Sequence, residues 1–321
     1  MMVSTNIKNN KMIIKSAIIG LGNIGMGYDY DTHNKSFLTH ANSLHNHKKF
    51  KIVGAVDTNL KKRKDFEKKY KVKAFSSISD LLKAKDISFV IVANNFKNNI
   101  EIFTKIAKKK SVKFILYEKP FIFSLVEAKK ISKIAKKNNI NFAINFQRNF
   151  NKKYVNIINK IPEPVKNRRL SITIFYTKTF LTNAIHYLFL LSRFVKKSLS
   201  LLSIGNTIIL KQKYSTIQFI KVNEKFSYSK LIIFSNESKY EFTPREEDCI
   251  IYKFKKDKLY KSIKIMEKHA KFKLFSKMNQ KHVLDNISNY FEKKDNLCFK
   301  KTNFINYIKI LEKILKLNEK I

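Results

Sequence analysis

The residues best suited to chemistry in this sequence begin with its glycines. The chain has six glycines in 321 residues, and four of them (Gly20, Gly22, Gly25 and Gly27) lie within the ten residues "IIGLGNIGMG", Ile18 to Gly27. "GLGNIG" fits the pattern G-x-G-x-x-G. In that pattern the first glycine permits a tight turn, the second lets the backbone approach a pyrophosphate, and the third allows close helix–strand packing. A helix opening behind the loop offers unpaired N–H groups to an anion, so Gly20, Gly22, Asn23, Ile24 and Gly25 are candidate phosphate-binding residues. The pattern is weak alone but gains weight here because it follows an apolar run, "MIIKSAII", that reads as a buried strand. Asp57 ends the next such run, "GAVD". A carboxylate there can accept hydrogen bonds from both ribose hydroxyls and repel a 2′-phosphate, favouring NAD over NADP. The separation of Gly25 from Asp57 exceeds the usual ~20 residues, and "MGYDYDTHNKSFLTH" (Met26 to His40) reads as an inserted loop before the helix proper. Asp57 as a plain strand-end turn residue is the competing reading, and Lys61 and Lys62 nearby keep NADP open.

A second chemical triplet is "EKP", Glu118 to Pro120. It follows the strand "SVKFILYE", at the carboxyl edge where ligands bind in parallel sheets. Proline restricts Lys119 to an extended or cis geometry and so fixes the direction of its side chain. An ammonium held beside a nicotinamide can bind a substrate hydroxyl and exchange its proton. In so lysine-rich a chain, a surface lysine is the alternative.

These residues need a scaffold, and the sequence supplies two patterns. Through about residue 147, short apolar runs ("FKIVGAVD", "ISFVIVAN", "SVKFILYE", "NINFAINFQ") alternate with helical periods. Phe96, Ile100, Phe103 and Ala107 form one apolar stripe, and "SLVE" (Ser124 to Glu127) is a capping box that opens another helix. This predicts a doubly wound parallel sheet with helices on both faces. After Pro164, "LSITIFY", "KYEFT" and "IYKFK" alternate with period two, as an open, mostly antiparallel sheet with one wet face requires. A helix from about Thr182 to Phe194 interrupts this half, and a helix through Phe304, Tyr307, Leu311 and Ile314 closes it. The expectation is an α/β domain over 1–122, extending to about 147, and an α+β domain over 123–321 whose last helix is a candidate to pack back on the first.

Composition bounds the rest. The formal net charge is +42, which invites a nucleic-acid partner. However, lysine far outnumbers arginine and is dispersed, and Asn, Ile, Phe and Tyr are abundant while Gly and Pro are scarce, the signature of A- and T-rich codons. "KKRKDFEKKYK" (Lys61 to Lys71) reads as a solvated helix face, so no specific nucleic-acid site is expected. No apolar run is long enough to span a bilayer and the N-terminus has no apolar signal core, so a cytoplasmic protein is expected. Cys249 and Cys298 have neither metal-ligand nor disulfide spacing and read as reduced structural thiols. His33, His40, His45 and His47 crowd the insert without a supporting ligand set, so no metal is expected.

Taken in order, "GLGNIG", "VGAVD", "VIVAN", "EKP", "NFQRNF" and "LTNAIHYLFLL" resemble the glucose–fructose oxidoreductase, inositol dehydrogenase and rhizopine-catabolism (Gfo/Idh/MocA) family, strongly through residue 150 and thinly beyond His186. The resemblance implies a Rossmann domain that binds NAD or NADP, an open antiparallel sheet, homo-oligomers through that sheet, and hydride transfer to or from a sugar, inositol or sugar-nucleotide carbon. By this resemblance Lys119 matches the catalytic lysine and His186 a general acid/base or substrate-orienting histidine. Arg148 matches an arginine beside the substrate, while Asn94 and Glu118 join the cofactor site. Asn183, a helical turn before His186, shares its face and could bond a sugar hydroxyl. The sequence departs from the family in three places. Thr182 stands where many members have an aspartate, Phe189 where an acidic residue is common, and Asn94, Asn95 and Asn99 replace "TP…H". These leave open a catalytically impaired dinucleotide binder.

Overall fold

The computed structural model describes residues 12–31, 37–94, 98–121, 124–195, 199–226, 228–244, 247–274, 279–293 and 301–318. His33, Asn95, Phe96 and Cys298 lie outside them.

The first sheet has six strands: β1 (Ile14–Ile19), β2 (Phe50–Val56), β3 (Ala74–Phe75), β4 (Phe89–Val92), β5 (Phe114–Tyr117) and β6 (Asn141–Ile144). They run parallel in the order β3-β2-β1-β4-β5-β6. β4 and β5 are buried along their whole length, as strands covered on both faces must be. The intervening helices are α1 (His40–His45), α2 (Leu60–Tyr70), α3 (Ile78–Ala84) and α4 (Asn99–Ala107), followed by α5 (Leu125–Lys137). Asn59 caps α2 by accepting the Lys62 amide, and Ser77 caps α3 by accepting that of Asp80. At "SLVE" Ser124 caps the helix, its Oγ accepting the Glu127 amide at 3.1 Å and donating to Glu127 Oε2 at 3.2 Å. β3 and α3 carry too little periodicity to be legible in the sequence.

Behind the glycine loop the insert comes before the helix proper, α1. Residues 22–26 make a single turn, with the Met26 and Gly27 amides donating to the Gly22 carbonyl, and Gly27–Asp29 is a 3-10 turn. The helix resumes at α1, where the amides of His40 and Ala41 donate to the carbonyls of Ile24 and Gly25. The insert is thus spliced into a helix whose two halves remain hydrogen-bonded.

The second sheet has eight strands: β7 (Leu170–Tyr176), β8 (Ser200–Ile204), β9 (Thr207–Lys211), β10 (Ser215–Lys221), β11 (Ser229–Phe234), β12 (Ser238–Phe242), β13 (Asp248–Lys256) and β14 (Lys264–Lys273). Their order is β14-β13-β12-β11-β7-β10-β9-β8. All neighbours are antiparallel except β7 and β10, since β8, β9 and β10 form a meander on one side of β7 while β11 returns to the other. Ile172, Ile174, Ile217, Phe219, Leu231 and Ile233 bury one face, and the alternating residues are more exposed. The remaining helices are α6 (Lys152–Lys160), α7 (Ile185–Leu191), α8 (Asn279–Phe291) and α9 (Lys301–Asn318). A π-turn, Phe180–Ala184, precedes α7 and a 3-10 turn, Ser192–Phe194, follows it.

The chain divides into two compact units that interleave in sequence. One comprises 1–121, 131–145 and 278–297, and the other 122–130, 146–277 and 298–321. The extension of the first domain to about 147 takes in β6, whereas α8 also belongs to the first unit and the boundary falls within α5. The last helix, α9, belongs to the second unit and packs there on α7 and β8. α8 is held within the first unit by Lys49–Glu292 at 2.7 Å, His47–Asp285 at 3.0 Å, and Tyr290 against Phe114.

Candidate functional site

Parallel register aligns the candidate residues of the first unit along one edge. Ile19 pairs with Val56 and Val92, Val92 with Tyr117, and Tyr117 with Ile144. The next residue on each strand is therefore Gly20, Asp57, Ala93, Glu118 and Asn145, all at the carboxyl end of the sheet.

Gly20 has φ +98°, and a Cβ there would lie 2.7 Å from the Ala93 carbonyl oxygen. At Gly25 a Cβ would lie 2.2 Å from the Gly20 carbonyl oxygen. The close approach at Gly25 is thus within the loop, where the expected contact was helix against strand. At Gly22 an added Cβ meets nothing within 4 Å, so its glycine is not required by the protein's own packing. Asn23 and Asn94 are exposed, and Ile24 is half-buried.

Asp57 sits against the loop: Oδ2 accepts the Leu21 amide at 2.7 Å and Oδ1 accepts the Asn59 amide at 2.8 Å. Both bonds are to backbone amides, one in the glycine loop and one in the turn that follows β2. Arg63, which the sequence reading passed over, donates to the Asp57 and Thr58 carbonyls at 2.8 and 2.9 Å.

Glu118 is the centre of a buried polar chain. Its Oε1 lies 2.8 Å from His40 Nε2 and accepts Asn145 Nδ2 at 2.5 Å, and Asn145 Nδ2 also donates to Gln280 Oε1 at 3.1 Å. Burial raises the Glu118 pKa. The His40 hydrogen bond and charge, with Asn145 and the Lys119 ammonium, outweigh it and hold the carboxyl below the usual carboxylate range. The Lys119–Pro120 bond is cis, one of the two geometries expected. Lys119 is partly exposed. Asn99 is buried and donates to the Phe121 carbonyl, holding the segment after "EKP".

The candidates of the second unit gather around α7. His186 is half-buried with the Phe146 ring edge-on at 5.7 Å. The Arg148 guanidinium lies 4.7 Å from the centre of the Tyr187 ring, a cation–π contact. Asn183 donates to the Thr177 carbonyl at 2.9 Å. Thr182 completes a capping box: its amide donates to Thr179 Oγ1, and its Oγ1 accepts the Thr179 amide at 3.1 Å. Phe189 is buried and stacks on Phe146 at 4.7 Å, with Tyr307 edge-on to both. The two residues that depart from the family pattern thus serve the fold here.

The described histidines of this region, His40, His45 and His47, contact other residues. His40 pairs with Glu118, His47 with Asp285, and His45 packs on Tyr70. Among the described residues no cluster of His, Cys, Asp and Glu could hold a metal. Cys249 is buried and burial pushes its thiol pKa up to about 12, which fits an inert structural thiol. No helix among the described residues is long and apolar enough to cross a membrane.

A six-stranded parallel sheet with a glycine turn after its first strand and an acidic residue after the second defines a dinucleotide-binding α/β domain. Residues 14–146 match the family model for Gfo/Idh/MocA, the oxidoreductase family with an NAD-binding Rossmann fold. The whole chain shares its fold with solved structures of low identity. One is the dehydrogenase MviM from Clostridium difficile, with TM-score 0.71, 17% identity, and 94% of this chain and 99% of that one covered. A 3-ketoreductase from Actinomadura kijaniata in complex with NADP has TM-score 0.69 and 12% identity over 94% and 96%. The WlbA dehydrogenase from Bordetella pertussis, in complex with NADH and UDP-GlcNAcA, has TM-score 0.67 and 13% identity over 95% of each chain. No curated protein matches the sequence.

Proposed function

We propose that this NAD(P)-binding oxidoreductase family member transfers a hydride between nicotinamide and a hydroxyl or ketone carbon of a sugar or sugar nucleotide. The observation that carries the reading is the continuous polar edge from Asp57 through the glycine loop and Asn94 to Glu118, one strand end after another. Strands lie about 4.8 Å apart, so this edge has the length to take adenosine at Asp57, pyrophosphate at Gly20–Gly25 and nicotinamide toward Glu118. The open space at Gly22 fits the pyrophosphate. Asp57 favours NAD by repelling a 2′-phosphate.

When bound, the nicotinamide gives or accepts the hydride at its ring carbon. Lys119 binds the substrate oxygen, stabilises the charge that develops on it, and gives or takes its proton. His186 shares the proton transfer or orients the substrate, with Arg148 and Asn183 as further substrate contacts. A sugar-nucleotide substrate is supported by the ligand of the WlbA dehydrogenase. A second copy of the chain as partner is supported by exposed apolar residues on the second sheet, Phe234, Ile265, Met266 and Phe272.

A second reading, a dinucleotide binder with impaired catalysis, is favoured by the structural use made of Thr182 and Phe189. Titration of NADH fluorescence followed by a turnover panel of sugars and sugar nucleotides tests both. Binding with turnover supports the oxidoreductase; binding with no turnover on any member supports the second reading; no binding removes both.

A further inference from the structure

His40 lies in the insert, outside every motif that identifies the cofactor site, yet its side chain is 2% exposed and bonded to the acidic residue of "EKP". The carboxylate of Glu118 is itself only 13% exposed, and its two oxygens are treated differently. Oε1 is saturated by His40 Nε2 at 2.8 Å and Asn145 Nδ2 at 2.5 Å, donors from α1 and from the end of β6. Oε2 has a long contact to the Lys119 amide, 3.3 Å. A carboxylate oxygen can accept two hydrogen bonds, so this second oxygen retains capacity for a donor.

The support beneath His40 is equally specific. Thr39, which caps α1, donates its hydroxyl to Asp29 Oδ1 at 2.5 Å and its amide to Oδ2 at 3.2 Å. Asn42 Nδ2 also donates to Asp29 Oδ2, at 2.9 Å. Asp29 and Thr39 are both fully buried. Two ends of the insert are therefore clamped to each other, and the clamp sets the helix that carries His40. Gln280, on α8, holds Asn145 from the other side.

We propose that His40 is a positioning residue: with Asn145 it fixes the Glu118 carboxylate so that Oε2 accepts an N–H or O–H donor from the nicotinamide end of the dinucleotide. This rests on the dinucleotide reading above. Glu118 follows β5, two strands from the glycine loop and three from the end of β2, or roughly 10 and 14 Å at the usual strand spacing. A defect at His40 must therefore weaken the nicotinamide half and spare the adenosine diphosphate half. Without His40, burial favours protonation of Glu118, which turns the acceptor into a donor and lets the group rotate.

The test compares NADH with ADP, which lacks both the nicotinamide ring and its ribose, by calorimetric titration of wild type, His40→Leu and His40→Gln. His40→Leu should weaken NADH by about tenfold or more, the scale of one hydrogen bond to a charged group, and leave ADP within about twofold. His40→Gln offers an amide donor at similar reach and should restore most of the NADH affinity. Should His40→Leu not fold, Asn145→Ala removes the other donor to Oε1 and should give the same selective loss. Equal weakening of both ligands, or no change in either, would overturn the positioning role and leave dinucleotide binding standing. A wild type that binds neither ligand would overturn both.

Discussion

The sheet edge of the first unit and the α7 region of the second share a lysine- and asparagine-rich composition, but different constraints act on their residues. At the sheet edge, glycine survives where backbone geometry allows nothing else: at Gly20, with its positive φ, and at Gly25, against the Gly20 carbonyl. Around α7, the two positions where the resembled family has acidic residues serve the fold, Thr182 as a cap and Phe189 as an aromatic core residue. The difference is one of physical constraint. A residue at positive φ or pressed against a carbonyl oxygen has few solutions in backbone space, whereas a helix face tolerates any residue that packs or caps. The sheet edge is therefore the more restricted of the two regions, and variants in them should fail in different ways.

The largest separation should come from Gly22→Val. Nothing in the protein occupies the space beside Gly22, so the folded state should persist while NADH binding falls below detection in a fluorescence titration. Retained affinity would sever the glycine loop from the cofactor. Phe189→Asp, which restores an acidic residue, should do the reverse: an unpaired carboxylate among Phe146 and Tyr307 should cost about 3–5 kcal/mol in urea unfolding. A near-neutral result would mean that the position still accepts an acid and that the contrast between the regions is overdrawn.

Lys119→Met should lower kcat by about 10² with NADH affinity largely kept, and His186→Asn should cost less if Lys119 is the main proton carrier. Single-turnover hydride transfer across pH, on a substrate the wild type turns over, separates the two, and an unchanged rate in Lys119→Met would rule out the proposed chemistry. Asp57→Ser should narrow the preference for NAD over NADP by about tenfold, read as the ratio of the two affinities. A wild type that prefers NADP would shift that role to Lys61, Lys62 or Arg63.

The smallest effect concerns how α8 is tied to the first unit. Burial raises the Asp285 pKa, but the His47 hydrogen bond and Lys281 outweigh it and lower it to about 2, against 3.8 for the unperturbed group. A depressed folded-state value means this stabilisation is present above about pH 4 and is lost as pH falls toward 2. With the carboxylate 38% exposed, solvent screening reduces it to about 1 kcal/mol. Asp285→Asn should therefore lower Tm by a few degrees at pH 7 and converge with wild type near pH 2.

Much of this was legible in the residues. β7 runs from Leu170 to Tyr176, the limits its period-two alternation predicts, and the parallel strands lie within the apolar runs "MIIKSAII", "FKIVGAVD", "ISFVIVAN" and "SVKFILYE". Short or irregular elements were not legible: β3 is two residues long, and the parallel pairing of β7 with β10 depends on connections between strands that no local pattern encodes. His40 was visible only as one of several histidines in a loop, with no spacing to connect it to Glu118, 78 residues away.

The sequence by itself determined the backbone requirements and the periodicities, because a positive φ, a proline after lysine and alternating burial each act within a few residues. Only the tertiary structure decided which polar side chains share a buried charge. His40, Asn145 and Gln280 come from α1, the end of β6 and α8, and they meet at Glu118 because strand register and helix packing bring them there. A buried carboxylate must be satisfied by whatever donors the fold places within hydrogen-bond reach, and that placement is a property of the assembled unit.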